Sequence, residues 1–132
     1  MISADEFDAL ITAAKSAKDN AYAPYSGFKV GAAVMTDSVV IYQGGNVENA
    51  SYGLSVCAER TAVFNAISAG EAIIKAIAIT ASSGEPVYPC GACRQVLSEF
   101  VQDGSDIDVY IISDEGVSKH LLSDLLPFAF KL

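Results

Sequence analysis

Cys57-Ala58-Glu59-Arg60-Thr61-Ala62-Val63-Phe64-Asn65-Ala66-Ile67-Ser68-Ala69-Gly70, followed after Glu71-Ala72 by Ile73-Ile74-Lys75-Ala76-Ile77-Ala78-Ile79-Thr80-Ala81, decides the fold. The first stretch has helical composition and stops at Gly70, a residue type suited to the left-handed position just past a helix end. The second is a short apolar run of the kind that forms a buried strand. The alternation repeats downstream. Gly91 to Val101 reads as a helix with Val96, Leu97 and Phe100 on one face, and Ile107 to Ser113 reads as a strand. Helices alternating with apolar strands predict a layered α/β domain with parallel neighbours in this half.

Outward from that core, Ser3 and Glu6 fit a capping box ahead of Phe7, Leu10, Ile11, Ala14 and Ala17 at helical spacing. This helix ends before the loop Tyr22-Ala23-Pro24-Tyr25-Ser26-Gly27. Val30 to Met35 and Val39 to Gln43 flank Thr36-Asp37-Ser38 and predict a hairpin. A polar loop runs from Gly44 to Ser55. Val117 to Leu121 reads as a short edge strand, and Leu122 to Leu126 as a helical turn stopped by Pro127. The expected order is α-β-β-α-β-α-β-β-α, in one domain spanning residues 1–132.

The chain has 132 residues, 52% of them apolar, so it is long enough to bury a core without disulfide staples. Eight basic side chains against sixteen acidic ones give a net charge of −8, a poor match for nucleic acid but no obstacle to a neutral small molecule. The high apolar share points to surface covered by another subunit as well as to a filled core. The N-terminal stretch MISADEFDALITAAK lacks a basic region ahead of an apolar one, and Lys75 interrupts the most apolar segment. Neither a secretory signal nor a membrane span is expected. Three cysteines do not make a disulfide framework, and a cytosolic setting is expected.

Those cysteines read as ligands. Cys57 opens one predicted helix, and Pro89-Cys90-Gly91-Ala92-Cys93 opens another. Helix N-termini favour thiolate over thiol. Cys90 and Cys93 have the spacing to clasp one metal, with Cys57 as a third sulfur, and soft thiolates make zinc the first choice. Three protein ligands leave the fourth tetrahedral position open, as catalytic zinc requires. Glu59, two residues from Cys57, is placed to act as general base and then acid beside that position. Two other readings stay open here: a structural zinc site completed by His120 or an acid, and a thiol–disulfide enzyme built on Cys90 and Cys93.

Cys57-Ala58-Glu59-Arg60 followed by Pro89-Cys90-Gly91-Ala92-Cys93-Arg94-Gln95 resembles the zinc-dependent cytidine deaminase family. The likeness continues through Tyr22-Ala23-Pro24-Tyr25-Ser26, Val30-Gly31-Ala32-Ala33, Asn46-Val47-Glu48-Asn49-Ala50 and Leu125-Leu126-Pro127. These flanking motifs are similar to those of the small, homotetrameric branch that acts on free nucleosides. The resemblance implies a three-layer α/β/α domain around a five-stranded mixed sheet. It also implies one zinc per subunit on Cys57, Cys90 and Cys93, and hydrolysis of cytidine and deoxycytidine to uridine and deoxyuridine with release of ammonia, in pyrimidine salvage. In that chemistry a zinc-bound hydroxide attacks C4 while Glu59 shuttles protons.

The same resemblance assigns Arg60, and Gln95 beside it, to drawing negative charge from the sulfurs. It assigns Asn46 and Glu48 to the ribose hydroxyls, Phe28 and Ala58 to the base, Tyr52 to the substrate cleft, and Phe130 to a neighbouring subunit's base. Asn46 and Glu48 at i and i+2 share one side of an extended segment. Phe128 stands where the family has a small residue. Taken alone, Glu59 also suits a helix N-terminus, Asn46 a turn, Glu48 a solvated surface, and Phe28, Tyr52, Phe128 and Phe130 ordinary packing. A deaminase of another aminopyrimidine nucleoside and a zinc-dependent interaction domain are the competing functions.

Overall fold

The computed structural model describes residues 2–132. Helix α1 spans Ala4–Asp19, and its start is set by a reciprocal cap: Glu6 N donates to Ser3 Oγ at 3.1 Å and Ser3 N donates to Glu6 Oε1 at 2.9 Å. Strands β1 (Val30–Thr36) and β2 (Ile41–Gly45) follow, then α2 (Ala58–Ser68), β3 (Ile74–Ala81), α3 (Gly91–Glu99), β4 (Asp108–Ser113), β5 (Gly116–Leu121) and the short α4 (Leu122–Leu125). The expected element order is the observed one, with a single 3-10 turn, Tyr52–Leu54, added inside the long loop.

The five strands form one mixed sheet in the order β2-β1-β3-β4-β5. Only β3 and β4 run parallel, joined through α3; β5 returns antiparallel from Ser113 to Gly116. The expectation of parallel neighbours throughout this half is corrected at β5. Asp114 and Glu115 make a tight turn, and a parallel return needs a crossover of a dozen residues or more. Strand β2 also begins two residues later than expected. Val39, at φ 66, takes the left-handed position of a tight turn in which Thr36 N donates to Val40 O at 2.9 Å, so pairing starts only at Ile41.

Helices cover both faces of the sheet. Along β1, Ala32 and Val34 pack with Ala62, Val63 and Ala66 of α2 and Leu97 of α3. The intervening Ala33 and Met35 pack with Leu10, Ile11 and Ala14 of α1 on the opposite face. Two glycines let the helix backbones rest directly on strands. A Cβ on Gly31 would lie 2.3 Å from Ala14 O, and one on Gly44 would lie 2.3 Å from Ala62 N. The Gly44 contact fixes the height of α2 on the sheet, and so the position of Cys57 and Glu59 at its start. No helix among the described residues is long and apolar enough to cross a membrane.

Candidate active site

Helices α2 and α3 lie on the same face of the sheet, and each is capped by a cysteine. Cys57 precedes α2 with φ −68° and ψ 151°, and Cys90 precedes α3 with φ −67° and ψ 170°. Neither sulfur is spent on a capping hydrogen bond to its own helix. Cys93, one turn into α3, is fully buried. The three Sγ atoms lie within 4.8 Å of one another, with Cys57 and Cys90 4.0 Å apart. Tetrahedral zinc with Zn–S bonds of about 2.3 Å holds its sulfurs roughly 3.8 Å apart, so the trio fits this metal.

Among the described residues, this ligand group holds the three cysteines and nothing else. His120 does not join it. Its ring packs edge-on to Tyr88, centroids 5.2 Å apart, and Nε2 lies 3.1 Å from Ser118 Oγ. The reading of a structural zinc completed by His120 is therefore set aside. Three sulfurs without a fourth protein ligand leave one tetrahedral position for a small molecule.

The polar groups around the sulfurs are mutually tuned. Cys57 is drawn down to about 5 by hydrogen bonding from Cys93, then by the Arg60 guanidinium and Cys90, against an opposing effect of burial. Cys93, as donor to Cys57, is pushed up, with burial and the nearby Glu59 carboxylate adding to the effect. One thiolate forms easily, and its charge resists the next. Arg60 Nη2 donates to Cys57 Sγ at 3.4 Å, which holds the guanidinium even more firmly charged than usual. Glu59 is only 4% exposed, and burial, helped by the charge on Cys57, pushes its carboxyl up to about 7.

The sulfurs of Cys57 and Cys90 open onto a cleft of about 530 Å³. Phe28, Asn46, Glu48, Tyr52, Ala58 and Glu59, all expected from the sequence, line it. Residues 46–48 are extended, as required for Asn46 and Glu48 to share a side: Val47 bridges Tyr22 on one flank and Val56 on the other. Both side chains also hold backbone. Asn46 Oδ1 accepts from Val30 N at 2.9 Å, and its Nδ2 donates to Phe28 O at 3.0 Å. Glu48 Oε1 accepts from Tyr25 N at 3.0 Å and Ser26 N at 3.1 Å, and Oε2 accepts from the Ser26 hydroxyl. These bonds keep Glu48 below the usual carboxylate range, the Ser26 hydroxyl contributing most.

One expectation is placed differently. Gln95 Nε2 donates to Phe130 O at 3.0 Å, and its amide makes no hydrogen bond to a sulfur. Phe130, expected at a neighbouring subunit's base, is exposed and does not line its own chain's cleft. Among the side chains that the sequence reading did not assign to the site, Tyr25, Ser26 and Tyr88 line it. Tyr25 and Ser26 lay in a motif quoted for its likeness only. Tyr88, immediately before the Pro89-Cys90 step, had adjacency to a ligand as its sole signal.

A family model for the cytidine and deoxycytidylate deaminase zinc-binding region matches residues 5–104. A curated cytidine deaminase from Sporosarcina psychrophila is 45% identical over 126 residues, covering 95% of this chain and 91% of its own length. Another, from Halalkalibacterium halodurans, is 48% identical over 122 residues, covering 92% of this chain and 91% of its own. The crystal structure of cytidine deaminase from Burkholderia pseudomallei superposes with a TM-score of 0.86 at 48% identity, covering 93% of this chain and 98% of that one. A three-sulfur site at the mouths of two helices, carried on a sheet shared with these enzymes along nearly the whole chain, identifies the protein as a member of the zinc-dependent cytidine and deoxycytidylate deaminase family.

Proposed function

We propose that this chain, as one domain over residues 1–132, hydrolyses cytidine and deoxycytidine to uridine and deoxyuridine with release of ammonia, serving pyrimidine salvage in the cytoplasm. The observation that carries the reading is the buried Glu59 carboxyl beside three clustered sulfurs in a cleft of about 530 Å³, a volume suited to a nucleoside.

In this reading Cys57, Cys90 and Cys93 hold one zinc ion. The chemistry that a zinc ion would supply there is acidification of a water molecule, giving a nucleophile at neutral pH. Glu59, buried beside the sulfurs, would accept a proton from the attacking water and deliver it to N3 of the pyrimidine, which makes C4 electrophilic. After the C4–O bond forms, Glu59 takes the remaining proton from the new C4 hydroxyl and carries it to the exocyclic amine, and the C4–N bond breaks to release ammonia as the C4 carbonyl forms. A carboxyl poised near neutral pH by burial suits a group that must both take and give protons. Arg60 draws negative charge from Cys57, so the sulfurs offset less of the metal's charge.

Phe28 and the Ala58 backbone face the base, Tyr52 borders the cleft, and Asn46 and Glu48 take the sugar hydroxyls with the polar capacity left by their backbone bonds. A site that hydrogen-bonds the sugar rejects a ligand lacking it, because its buried polar groups would then go unpaired. Free cytosine is expected to be a poor substrate. The assembly in this reading is a homotetramer. Tyr52 at 81% and Phe128 at 95% exposure, with Leu54 and Phe130 also exposed, leave apolar surface of the kind a subunit contact covers. Phe130 then acts in a neighbouring subunit's site.

Incubation of zinc-loaded protein with cytidine tests the reading. Uridine and ammonia forming in equal amounts, with cytosine turned over far more slowly, is the expected result. Folded, zinc-loaded protein that leaves cytidine intact would overturn it.

A further inference from the structure

We infer that Arg94 is the positioning residue for the metal ligand Cys90, clamping the chain that enters α3 to the C-terminal helix α4. Its guanidinium makes two short bonds. Nε donates to Pro89 O at 2.7 Å and Nη1 donates to Leu125 O at 2.8 Å. Pro89 immediately precedes Cys90, and Leu125 closes α4. Among the described residues, no other hydrogen bond reaches residues 86–89. Val87 and Tyr88 pack by their side chains, against the core and His120, so the backbone of the approach to Cys90 is hydrogen-bonded through Arg94 alone.

That hold acts at a sensitive place. Cys90 is the cap of α3, outside the helical backbone geometry, and its sulfur makes no bond to the helix that would fix it there. Cys93 is embedded in α3, whose packed face holds Leu97, so its position follows the core. The separation between the two sulfurs then depends on the peptide before Cys90, the group whose carbonyl Arg94 grips. The far end of the clamp is firm. Ser123 of α4 donates through its backbone N–H to Asp106 Oδ1 at 3.2 Å and through its hydroxyl to Oδ2, and Leu122 N donates to Ile107 O at 3.0 Å. A planar guanidinium with donors in a fixed fork bridges two carbonyls at set directions; the single ammonium of lysine does not. Val87 and Tyr88, in the same tethered run, line the cleft, so the clamp also sets that wall.

The inference rests on the zinc reading, and the experiment separates the two. Zinc affinity is measured by competition with a chromogenic chelator for the unaltered protein, Arg94→Met, Arg94→Lys and Glu71→Gln. Melting of each zinc-free form and the visible spectrum of each Co2+-loaded form are recorded alongside. A stoichiometric zinc in the unaltered protein comes first, since its absence would sink the zinc reading itself. With that in place, Arg94→Met is expected to weaken zinc binding roughly 10–100-fold, as loss of a residue that orients a ligand does. Arg94→Lys is expected to fall between, and both to shift the Co2+ bands. Glu71, whose carboxylate ties down the β1–β2 turn through Thr36 and Tyr42, touches neither the clamp nor the cleft; Glu71→Gln is expected to lower the zinc-free melting temperature while leaving zinc affinity and the Co2+ bands unchanged. Arg94 variants that hold zinc as tightly as the unaltered protein would overturn the inference. So would a Glu71→Gln loss of zinc affinity equal to theirs, which would make the effect one of stability. If Arg94→Met does not fold, Arg94→Lys decides.

Discussion

Arg60 Nη2 reaches Cys57 Sγ across 3.4 Å from the first turn of the same helix, while its Nε is buried with no hydrogen-bond partner among the described residues. The guanidinium is thus committed to a sulfur. Three thiolates carry one more negative charge than zinc carries positive, and an excess of this kind weakens the metal's pull on a bound water. Hydrogen bonds involving a charged group contribute about 1.5–3 kcal/mol each. Arg60→Gln is therefore expected to lower kcat roughly tenfold or more at full zinc occupancy. Steady-state turnover on samples with measured zinc content checks this, and an unchanged kcat would refute the charge-balance argument.

Glu48 is a hub for the loop that carries Phe28. Its carboxylate accepts from Tyr25 N, Ser26 N and the Ser26 hydroxyl, and that hydroxyl in turn accepts from Phe28 N at 3.0 Å. Glu48→Ala removes the proposed partner for the sugar and frees the loop together. Its kcat/KM for cytidine is expected to fall roughly tenfold or more, chiefly through KM. The ratio of cytidine to cytosine turnover is expected to shrink in parallel.

Glu71 predicts a pH dependence away from the site. Its carboxylate accepts from Ser38, from Tyr42 Oη at 2.8 Å and from Thr36 Oγ1 at 2.9 Å, tying the β1–β2 turn to the segment before β3. These bonds, Ser38's foremost, hold its carboxyl below the reference value of 4.5. A carboxyl with a lowered folded-state pKa stabilises the fold fully above its unfolded value and loses that contribution as pH falls through the folded one. Glu71→Gln is expected to melt at a lower temperature than the unaltered protein at pH 7. The gap should narrow once pH drops below about 4.5. A gap independent of pH would contradict the assignment.

Val39 carries backbone strain at an exposed turn. The left-handed conformation costs a residue with a Cβ about 1–2 kcal/mol, and glycine's greater freedom in the unfolded chain offsets part of any gain. Val39→Gly is expected to stabilise the protein by roughly 0.5–1 kcal/mol, measured by denaturant unfolding, without altering cytidine turnover.

The sequence made the layers legible because strands β1 and β3 are buried on both faces and read as mainly apolar runs, despite Lys75 near the start of β3, while α1 announces itself by its capping box. The metal ligands were legible for a similar reason. Cys57 and the Cys90–Cys93 pair each mark a helix start, and chemistry limits what three clustered sulfurs can do. The strand directions around β5 were less so, since they turn on the length of one turn. Tyr88 was hidden because a loop residue has no periodicity to show which way it faces. Gln95 and Arg94 sit side by side in one motif, yet their partners, Phe130 and Leu125, come from a distant segment that only the fold brings near. Asn46 and Glu48 were recognised as a pair on one side of a strand. Their hold on the backbone of residues 25–30 left no trace in the spacing.

The central claim is that Glu59, buried beside the three sulfurs, moves the protons of a hydrolytic deamination. Uridine formation from cytidine by zinc-loaded protein and by zinc-loaded Glu59→Gln, compared at matched metal content, tests it most directly. General acid–base catalysis contributes about 10²–10⁴-fold, and a loss of at least that size in the variant, with fold and zinc retained, is the predicted result. A variant that deaminates cytidine at a rate close to the unaltered protein would contradict the account.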